Sequence, residues 1–250
     1  MNAAATLDRI GRAPDLHPWP LTMATYNIHG AVGTDGRYAP ERIAQVIAET
    51  GADVVALQEV PLGGQGRASV LDTLREATGF HAAAGPTCTV GGCGFGNGVL
   101  SRYPIEEVRC IDLSFGSSEP RGALDADINV HGHPLRVVAT HLGLSLAERR
   151  DQINRLLERF DTDRMAVVLL GDINEWFGWG ESLRRLREHF QQVPAPRTFP
   201  SRCPVLALDR IWIRPRQRLV RVKAHATRLA RVASDHLPLV AHIGAQVEES

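Results

Sequence analysis

The sequence predicts an α/β fold built from two β-sheets with helices outside them. Three observations favour it. Residues 21–60 read as strand, helix and strand, a succession typical of layered α/β proteins. Residues 123–140 read as an antiparallel hairpin. Residues 167–170 are four consecutive apolar residues, the pattern of a strand buried on both faces.

Length and composition favour one globular domain. The chain has 250 residues, of which 44% are hydrophobic and 22% charged. These values are ordinary for a globular protein and argue against disorder or coiled coil. Residues 1–20 carry scattered charges and no continuous apolar core. We therefore expect a flexible N-terminal leader there, not a secretory signal.

The first half begins with a strand over residues 21–26. Pro40 suits the first turn of a helix, whose apolar stripe at residues 43–47 is followed by a stop at Gly51. Residues 53–60 then predict a second buried strand that ends on a carboxylate.

The next segment predicts a helix, a loop and a strand. Ser69 is a good N-cap, and Gly79 ends the helix that it begins. The glycine-rich residues 85–98 have little periodicity and predict a loop. Residues 98–102 resume as a strand.

The second half follows the same logic. Ser145 with Glu148 three residues later forms a capping box that opens a helix after the hairpin. The central strand at residues 167–170 leads to a short basic helix at 182–190. Three final strands are expected at residues 208–213, 219–224 and 237–243.

Polar residues follow or interrupt six of the apolar runs. They are Asn27, Glu59, His141, Asp172 with Asn174, Asp209, and Asp235 with His236. One such residue is usually a cap or a turn. An unpaired carboxylate at the end of a buried strand is costly, however. Six strand ends that agree in this way predict one polar pocket.

The residue types in this set suit a hard divalent cation. Carboxylates and amides without a thiolate partner favour Mg²⁺ or Mn²⁺. Glu59 is the first choice for a direct ligand, with Asn27 and Asp235 near it. The two histidines and the remaining carboxylates are then available for proton transfer and for stabilising a charged transition state.

Charge and cysteine content narrow the functional classes. Lys and Arg number 28, as do Asp and Glu, so net charge gives no general attraction to nucleic acid or anionic membranes. The longest apolar runs are too short to cross a membrane. Cys88 and Cys93 have a spacing that could hold a metal, but no second pair with zinc-site spacing accompanies them. We expect reduced thiols in a cytoplasmic protein.

Several of these residues belong to ordered motifs that extend over nearly the whole chain. In chain order the motifs are Thr25-Tyr26-Asn27-Ile28-His29, Leu57-Gln58-Glu59, Thr140-His141-Leu142, Gly171-Asp172-Ile173-Asn174, Leu208-Asp209-Arg210-Ile211 and Ser234-Asp235-His236. This set resembles the endonuclease/exonuclease/phosphatase superfamily of the deoxyribonuclease type. The resemblance covers residues 21–243, and Gly-Asp-x-Asn followed by Ser-Asp-His is its most specific part.

The resemblance implies an α/β four-layer sandwich, with two packed mixed β-sheets flanked by helices and the site at one edge. Residues 21–245 would form a single catalytic domain of this type. The resemblance also implies hydrolysis of a phosphoester P–O bond by water, without a covalent enzyme intermediate. The cofactor would be Mg²⁺ or Mn²⁺.

The resemblance further implies roles for individual residues around the metal. Glu59 would hold the cation, assisted by Asn27 and Asp235. Asp172 would orient or deprotonate the attacking water. Asn174 would donate a hydrogen bond to a phosphate oxygen.

The two histidines would complete the site. His236, oriented by Asp209, would act as an acid–base or phosphate-stabilising group, because a carboxylate on one imidazole nitrogen fixes the tautomer and stabilises the imidazolium. His141 would contact the phosphate or assist the leaving group. His29 and Arg121 are candidates for substrate binding, although Arg121 is read equally well as a plain surface arginine.

The substrate class stays open at this point, because fold and catalytic residues do not choose it. A phosphorylated small molecule or lipid head group is favoured, acted on by a monomer. A DNA or RNA nuclease is the alternative, and a non-catalytic phosphate-binding module is a third interpretation. The nuclease is supported by an arginine-rich run, which comprises Arg210, Arg214, Arg216, Arg218, Arg221, Lys223, Arg228 and Arg231.

Overall fold

The computed structural model describes residues 20–64, 68–90, 93–160, 165–178, 180–190, 193–214 and 219–244. The leader predicted for residues 1–20 lies outside these ranges except for its last residue. The final residue of the predicted domain, at position 245, also lies outside them.

One sheet has six strands and contains both ends of the described chain. Its members are β1 (Leu21–Asn27), β2 (Val54–Gly63), β3 (His81–Val90), β4 (Cys93–Ser101), β10 (Leu219–Ala224) and β11 (Leu239–Ile243). Their order across the sheet is β10-β11-β1-β2-β4-β3. β1 and β2 are parallel, and the other neighbours are antiparallel.

The other sheet has five strands in simple sequential order. They are β5 (Ile105–Asp112), β6 (Gly122–Val130), β7 (His133–His141), β8 (Ala166–Asp172) and β9 (Asp209–Arg214). β7 and β8 are parallel, and the remaining pairs are antiparallel. Both sheets are therefore mixed, as predicted.

The helices cover the outer faces of the two sheets. They are α1 (Pro40–Thr50), α2 (Val70–Thr78), α3 (Leu146–Leu157), α4 (Glu181–Phe190) and the single turn α5 (Ala230–Ala233), with a short 3₁₀ turn at His29–Ala31. α1 and α2 pack on the six-stranded sheet, and α3 and α4 pack on the five-stranded one. A third apolar cluster lies between the sheets. The predicted four-layer sandwich is confirmed.

Local sequence signals explain the helix ends. The Ser69 hydroxyl accepts a hydrogen bond from the Asp72 amide, and the Ser145 hydroxyl accepts one from the Glu148 amide, each at 3.2 Å. Each cap satisfies an amide that the first helical turn leaves without a partner. α1 and α2 both end at a glycine in the left-handed conformation, as expected.

The loop predicted for residues 85–98 is wrong. This segment lies in the β3–β4 hairpin, where Gly85 pairs with Asn97 and Pro86 with Gly96. A Cβ on Gly96 would lie 2.2 Å from the Gly85 carbonyl oxygen, so the glycines there permit close packing. The hairpin also includes Cys88 and Cys93, whose side chains lie outside the described part of the structure.

Sequence reasoning also missed strand β5. Most of its side chains are exposed or half-buried, as expected of a sheet edge, so its sequence lacks the apolar run that identifies an inner strand. Across the described ranges, no helix is both long enough and apolar enough to traverse a membrane.

Candidate active site

The site forms where the two parallel strand pairs end at one edge of the sandwich. Asn27 is the last residue of β1, and Asp172 is the last residue of β8. The Asn27 amide nitrogen donates to Glu59 Oε1 at 2.9 Å and to Asp172 Oδ2 at 3.1 Å. One buried amide therefore connects the carboxylates of the two sheets.

Two buried histidines face the same oxygen of Asp172. The Nε2 atoms of His141 and His236 each lie 3.6 Å from Asp172 Oδ2. His141 comes from the end of β7, and His236 comes from the segment between α5 and β11. The structure thus brings together three predicted residues that are far apart in the sequence.

Opposite partners bind the far sides of the two imidazoles. Asp209 Oδ2 lies 2.9 Å from His236 Nδ1 and also accepts a hydrogen bond from the Thr198 hydroxyl. The Arg121 Nη1 atom lies 3.0 Å from His141 Nδ1. A carboxylate only accepts and a guanidinium only donates. Nδ1 of His236 therefore carries a proton, whereas Nδ1 of His141 is unprotonated and accepts a hydrogen bond from Arg121.

These partners move the two pKa values apart. Burial alone lowers the pKa of an imidazole. For His236, the charge and hydrogen bond of Asp209, with the nearby Asp172, outweigh burial and raise the pKa to about 10. For His141, burial outweighs the attraction of Asp172, and the Arg121 charge adds to it, so that the pKa falls to about 4. At neutral pH, His236 is an imidazolium and His141 is a neutral imidazole.

Asn174 links the two loops that follow β7 and β8. Its backbone amide donates to Asp172 Oδ1 at 3.0 Å, and its side-chain amide donates to the Leu142 carbonyl at 2.9 Å. Its φ is +53°, and Glu59 has a φ of +55°. A left-handed conformation is uncommon for a non-glycine residue and is typically held in place by its surroundings at functional sites. The second amide hydrogen of Asn174 stays available to a ligand.

A second group of oxygens lies beside the histidines. Burial raises the pKa of Glu59, and the negative charge of Asp235 raises it further. Two neighbouring carboxylates, of which Glu59 is largely buried, suit a bound cation. His29 lies at the exposed rim, with its Nδ1 atom 3.8 Å from Asp235 Oδ1 and its side chain 48% exposed.

Asp172, Asp209 and His236 form a further possible ligand group. One ligand atom from each lies within 4.8 Å of the others, and all three residues are buried. Hydrogen bonds from His236 and Thr198 already occupy Asp209 Oδ2, however. This group is therefore better suited to holding a proton than to holding a cation, and the Glu59 side fits the cation better.

Three supporting contacts were not predicted. Besides Thr198, the Ser234 hydroxyl donates to the Asn27 carbonyl at 2.7 Å. Arg149 and Glu175 form a buried ion pair at 3.3 Å, and Arg149 also donates to the Leu144 carbonyl. Ser234 is part of the Ser-Asp-His motif, so its position was visible. Thr198 and Arg149 lie outside every motif, and no sequence signal identifies them.

Comparison with known proteins identifies the family of the chain. Residues 24–236 match the Endonuclease/Exonuclease/phosphatase family. The chain belongs to this family. Its members are hydrolases that act on phosphoester bonds and generally depend on a divalent metal. The matched range includes every predicted site residue.

Individual relatives are similar over most of the chain. The uncharacterized protein YbhP of Escherichia coli (strain K12) is 31% identical over 242 residues, which cover 88% of this chain and 95% of YbhP. An endonuclease/exonuclease/phosphatase from Beutenbergia cavernae has a TM-score of 0.75 and 25% identity, covering 91% of this chain and 72% of its own. A mannosyl-6-phosphatase from Bacteroides thetaiotaomicron has a TM-score of 0.66 and 18% identity, covering 88% and 98%. The last likeness shows the fold alone.

Proposed function

We propose that the protein is a divalent-metal-dependent phosphoesterase that hydrolyses a phosphodiester or phosphomonoester by direct attack of water. The favoured substrate is a phosphorylated small molecule or lipid head group. The observation that supports this most strongly is the convergence of two histidines at 3.6 Å on Asp172 Oδ2. The two hydrogen bonds of the Asn27 side chain, to Asp172 and to Glu59, also support the proposal, because they join the proposed acid–base group to the proposed cation ligands.

Glu59 and Asp235 would hold the cation, with the Asn27 side chain as a third ligand. The Asn27 Oδ1 atom accepts from the His29 amide at 3.0 Å, and its second lone pair is free to coordinate. When bound, Mg²⁺ or Mn²⁺ supplies charge neutralisation at the phosphoryl oxygens and a lowered pKa for bound water.

Asp172 would position and deprotonate the attacking water. Its Oδ2 atom faces both imidazoles and the Asn27 amide, while Oδ1 accepts from the Asn174 backbone. These contacts fix the carboxylate in one orientation. A general base needs this, because it must lie within reach of the proton that it removes.

The two histidines would divide the remaining work. His236 is the charged group, so it would stabilise the negative phosphoryl oxygens and supply a proton to the leaving oxygen. His141 is neutral, with a proton on Nε2, so it would donate a hydrogen bond without adding charge. Arg121 and Asn174 would bind phosphate oxygens, and His29 would contact the substrate at the rim.

The charge distribution favours a small substrate over nucleic acid. Of the arginine-rich run, Arg210 is buried, and Arg231 donates to the Ser201 and Arg202 carbonyls. Of the other described members, Arg214 lies on β9 in one sheet, and Arg221 and Lys223 lie on β10 in the other. Arg228 lies in the segment after β10. A surface that tracks several phosphates needs its cations on one face. The division of the described members between two sheets, together with the burial of Arg210, therefore favours a small substrate.

A paired assay tests the proposal. Purified protein with Mg²⁺ or Mn²⁺ is tested on bis-p-nitrophenyl phosphate, p-nitrophenyl phosphate and duplex DNA. We expect turnover of at least one nitrophenyl ester that is abolished in Asp172→Ala, and no salt-dependent shift of DNA in a binding gel. DNA cleavage without nitrophenyl ester turnover would favour a nuclease instead.

A further inference from the structure

A cavity of about 540 Å³ opens beside the site, between the exposed edges of the two sheets. It lies against β3, β5 and the start of β6, and its lining includes Pro86, Thr87, Asp112, Pro120 and Arg121. Its volume falls in the range of about 300–1,000 Å³ that is usual for small-molecule sites. The roles proposed above for the catalytic residues do not require a cavity at this place.

A narrow cleft connects this cavity to the catalytic residues. The residues that line the cleft include Glu59, His141, Asn97, Thr87 and Arg121. Thr87 and Arg121 line both spaces. A phosphate held between Glu59 and His141 would therefore direct the rest of its molecule past Arg121 into the cavity.

Asn97 provides a buried acceptor in this cleft. It is 1% exposed, its Nδ2 atom donates to the Gly122 carbonyl at 2.9 Å, and its Oδ1 atom has no hydrogen-bond partner among the described residues. The Gly122 carbonyl fixes the amide orientation, because the reverse would place two acceptors together. An unsatisfied buried acceptor is costly. A phosphate oxygen cannot satisfy it, whereas a hydroxyl group can.

Two further acceptors lie along the same path. The Thr87 hydroxyl donates its proton to the Phe95 carbonyl at 3.2 Å, so its oxygen can accept a hydrogen bond from a ligand. Asp112 accepts from the Ser114 amide at 2.9 Å, and hydrogen bonds from Ser114 hold the pKa of its carboxyl below the ordinary value. Asp112 is thus a carboxylate with lone pairs to spare at neutral pH.

The charges of the cavity disfavour a second phosphate. Arg121 is its only basic lining residue among the described residues, and the proposed function already assigns Arg121 to the phosphate at the catalytic residues. Asp112 would repel an anion placed deeper in the cavity. Among the described residues, none of those that line the cavity is an aromatic residue that would hold a quaternary ammonium group.

We propose that this cavity is a subsite for the uncharged, hydroxylated part of a phosphorylated polyol or sugar. The hydroxyl groups would donate to Asn97, Thr87 and Asp112 while the phosphate lies at the catalytic residues. This inference rests on the proposed phosphoesterase function and narrows its substrate class.

The test compares esters that differ in hydroxyl groups. Wild-type protein with Mg²⁺ is assayed on inositol 1-phosphate, hexose 6-phosphates and cyclohexyl phosphate, which has a six-membered ring without hydroxyls. We expect kcat/KM to be about tenfold or more higher for at least one hydroxylated ester, because one lost hydrogen bond to a charged group corresponds to about that factor. Equal rates for all of them would overturn the inference.

Variants then locate the preference. Asp112→Asn and Thr87→Val should each raise the KM of the preferred hydroxylated ester several-fold and reduce its advantage over cyclohexyl phosphate. Glu107 is an exposed carboxylate on the same strand β5, so Glu107→Gln is the matched control. It should change neither the KM of the hydroxylated ester nor its advantage over cyclohexyl phosphate. A preference that survives both cavity variants would place the hydroxyl contacts elsewhere and contradict the proposal.

A binding measurement separates this inference from the proposed function. In the Asp172→Asn background, calorimetry should show tighter binding of the preferred hydroxylated ester than of cyclohexyl phosphate, and Asp112→Asn should weaken it about tenfold. Binding with this pattern but no turnover by wild type would support the subsite and contradict the hydrolysis. Turnover without the pattern would support the hydrolysis alone.

Discussion

His141 and His236 are a natural comparison within this molecule. Both are buried, both belong to the predicted site, and their Nε2 atoms lie at the same 3.6 Å from Asp172 Oδ2. Their pKa values nevertheless differ widely, at about 4 and about 10. The difference comes from the residue on the other ring nitrogen, which is Arg121 for one and Asp209 for the other.

The comparison shows how one fold supplies two kinds of imidazole to one carboxylate. Burial lowers both pKa values, and the effect is reversed only at His236, whose Nδ1 atom is hydrogen-bonded to the Asp209 carboxylate. The five-stranded sheet contributes Asp209 and His141, whereas His236 precedes the last strand of the six-stranded sheet. The charged state of His236 is therefore set by a contact between the two sheets, whereas the neutral state of His141 is set by burial and by Arg121, which directly precedes β6 of the same sheet.

Replacing Asp172, the carboxylate that both histidines face, should have the largest effect on the catalytic rate. Asp172→Asn keeps the size of the side chain but removes the negative charge that both imidazoles face. We expect kcat to fall about 10⁴-fold, because a general base and its orientation are lost together. Steady-state assays with a nitrophenyl ester measure this. His236→Ala should be similarly inactive, and a rate near wild type in either variant would contradict the mechanism.

Removing the cation should have the next largest effect. Chelation by EDTA should reduce turnover to about 1% or less, and Mg²⁺ or Mn²⁺ should restore it. Glu59→Gln should need about tenfold more metal for half-maximal activity and bind it correspondingly more weakly by calorimetry. Full activity in excess chelator would contradict the cation site.

Asp209→Asn tests why His236 is charged. The variant keeps the shape but removes the anion that holds the proton on Nδ1, so the pKa of His236 should fall markedly from about 10. We expect kcat to fall about 10²–10⁴-fold, as for other carboxylate–imidazole pairs. Titration of the imidazole signals by NMR in the metal-free protein measures the pKa. The pKa of His141 should change little, and an unchanged pKa for His236 would show that Asp209 is not its main partner.

Arg121→Gln tests the opposite partner. The charge of Arg121 lowers the pKa of His141, so the variant should raise that pKa above about 4 while burial keeps it below the ordinary value of about 6.5. Loss of a charged phosphate donor should raise KM about tenfold. Arg102→Gln, an exposed arginine paired with Asp53 after the far end of β4, is the control. Equal effects in both variants would make Arg121 an ordinary surface residue.

Asp125 extends the comparison to a buried carboxylate with a structural role. It is 1% exposed and binds the guanidinium groups of Arg109 and Arg136. Burial raises the pKa of Asp125, but the hydrogen bonds from Arg136 and Arg109 outweigh it and lower the pKa overall. Its contribution to stability is therefore present above the ordinary pKa of about 3.8. That contribution is lost as the pH falls through the lower folded value.

Asp125→Asn should thus destabilise the folded protein without lowering its catalytic rate. We expect the free energy of unfolding at pH 7 to fall by about 2 kcal/mol, since the arginine partners are partly exposed. For a chain of this size the fall corresponds to about 4–8 °C in Tm. Rates per folded molecule should match wild type. Thermal scans from pH 7 towards pH 2 should show the two proteins converge, and a constant difference would contradict the ion-pair explanation.

Much of the fold was predictable because its signals are local. Ser69, Ser145 and Gly51 mark helix ends through hydrogen bonds and φ values that involve only nearby residues. The β3–β4 hairpin was not predicted because its glycines are explained by tertiary packing, such as that of Gly85 against Leu124 of β6. Thr198 was not predicted either, because its hydroxyl donates to Asp209 from a segment that shows no periodic pattern.

The sequence by itself determined the residue types of the site, their order and the family to which the chain belongs. Strand ends that carry acids, amides and imidazoles are visible in the chain because each follows its own apolar run. Only the tertiary structure decided which nitrogen faces which oxygen. A pKa depends on charges within a few ångströms, and at this site those charges come from residues twenty or more positions away, such as Arg121 for His141 and Asp209 for His236. The cavity beside Arg121 likewise exists only where the edges of two sheets meet.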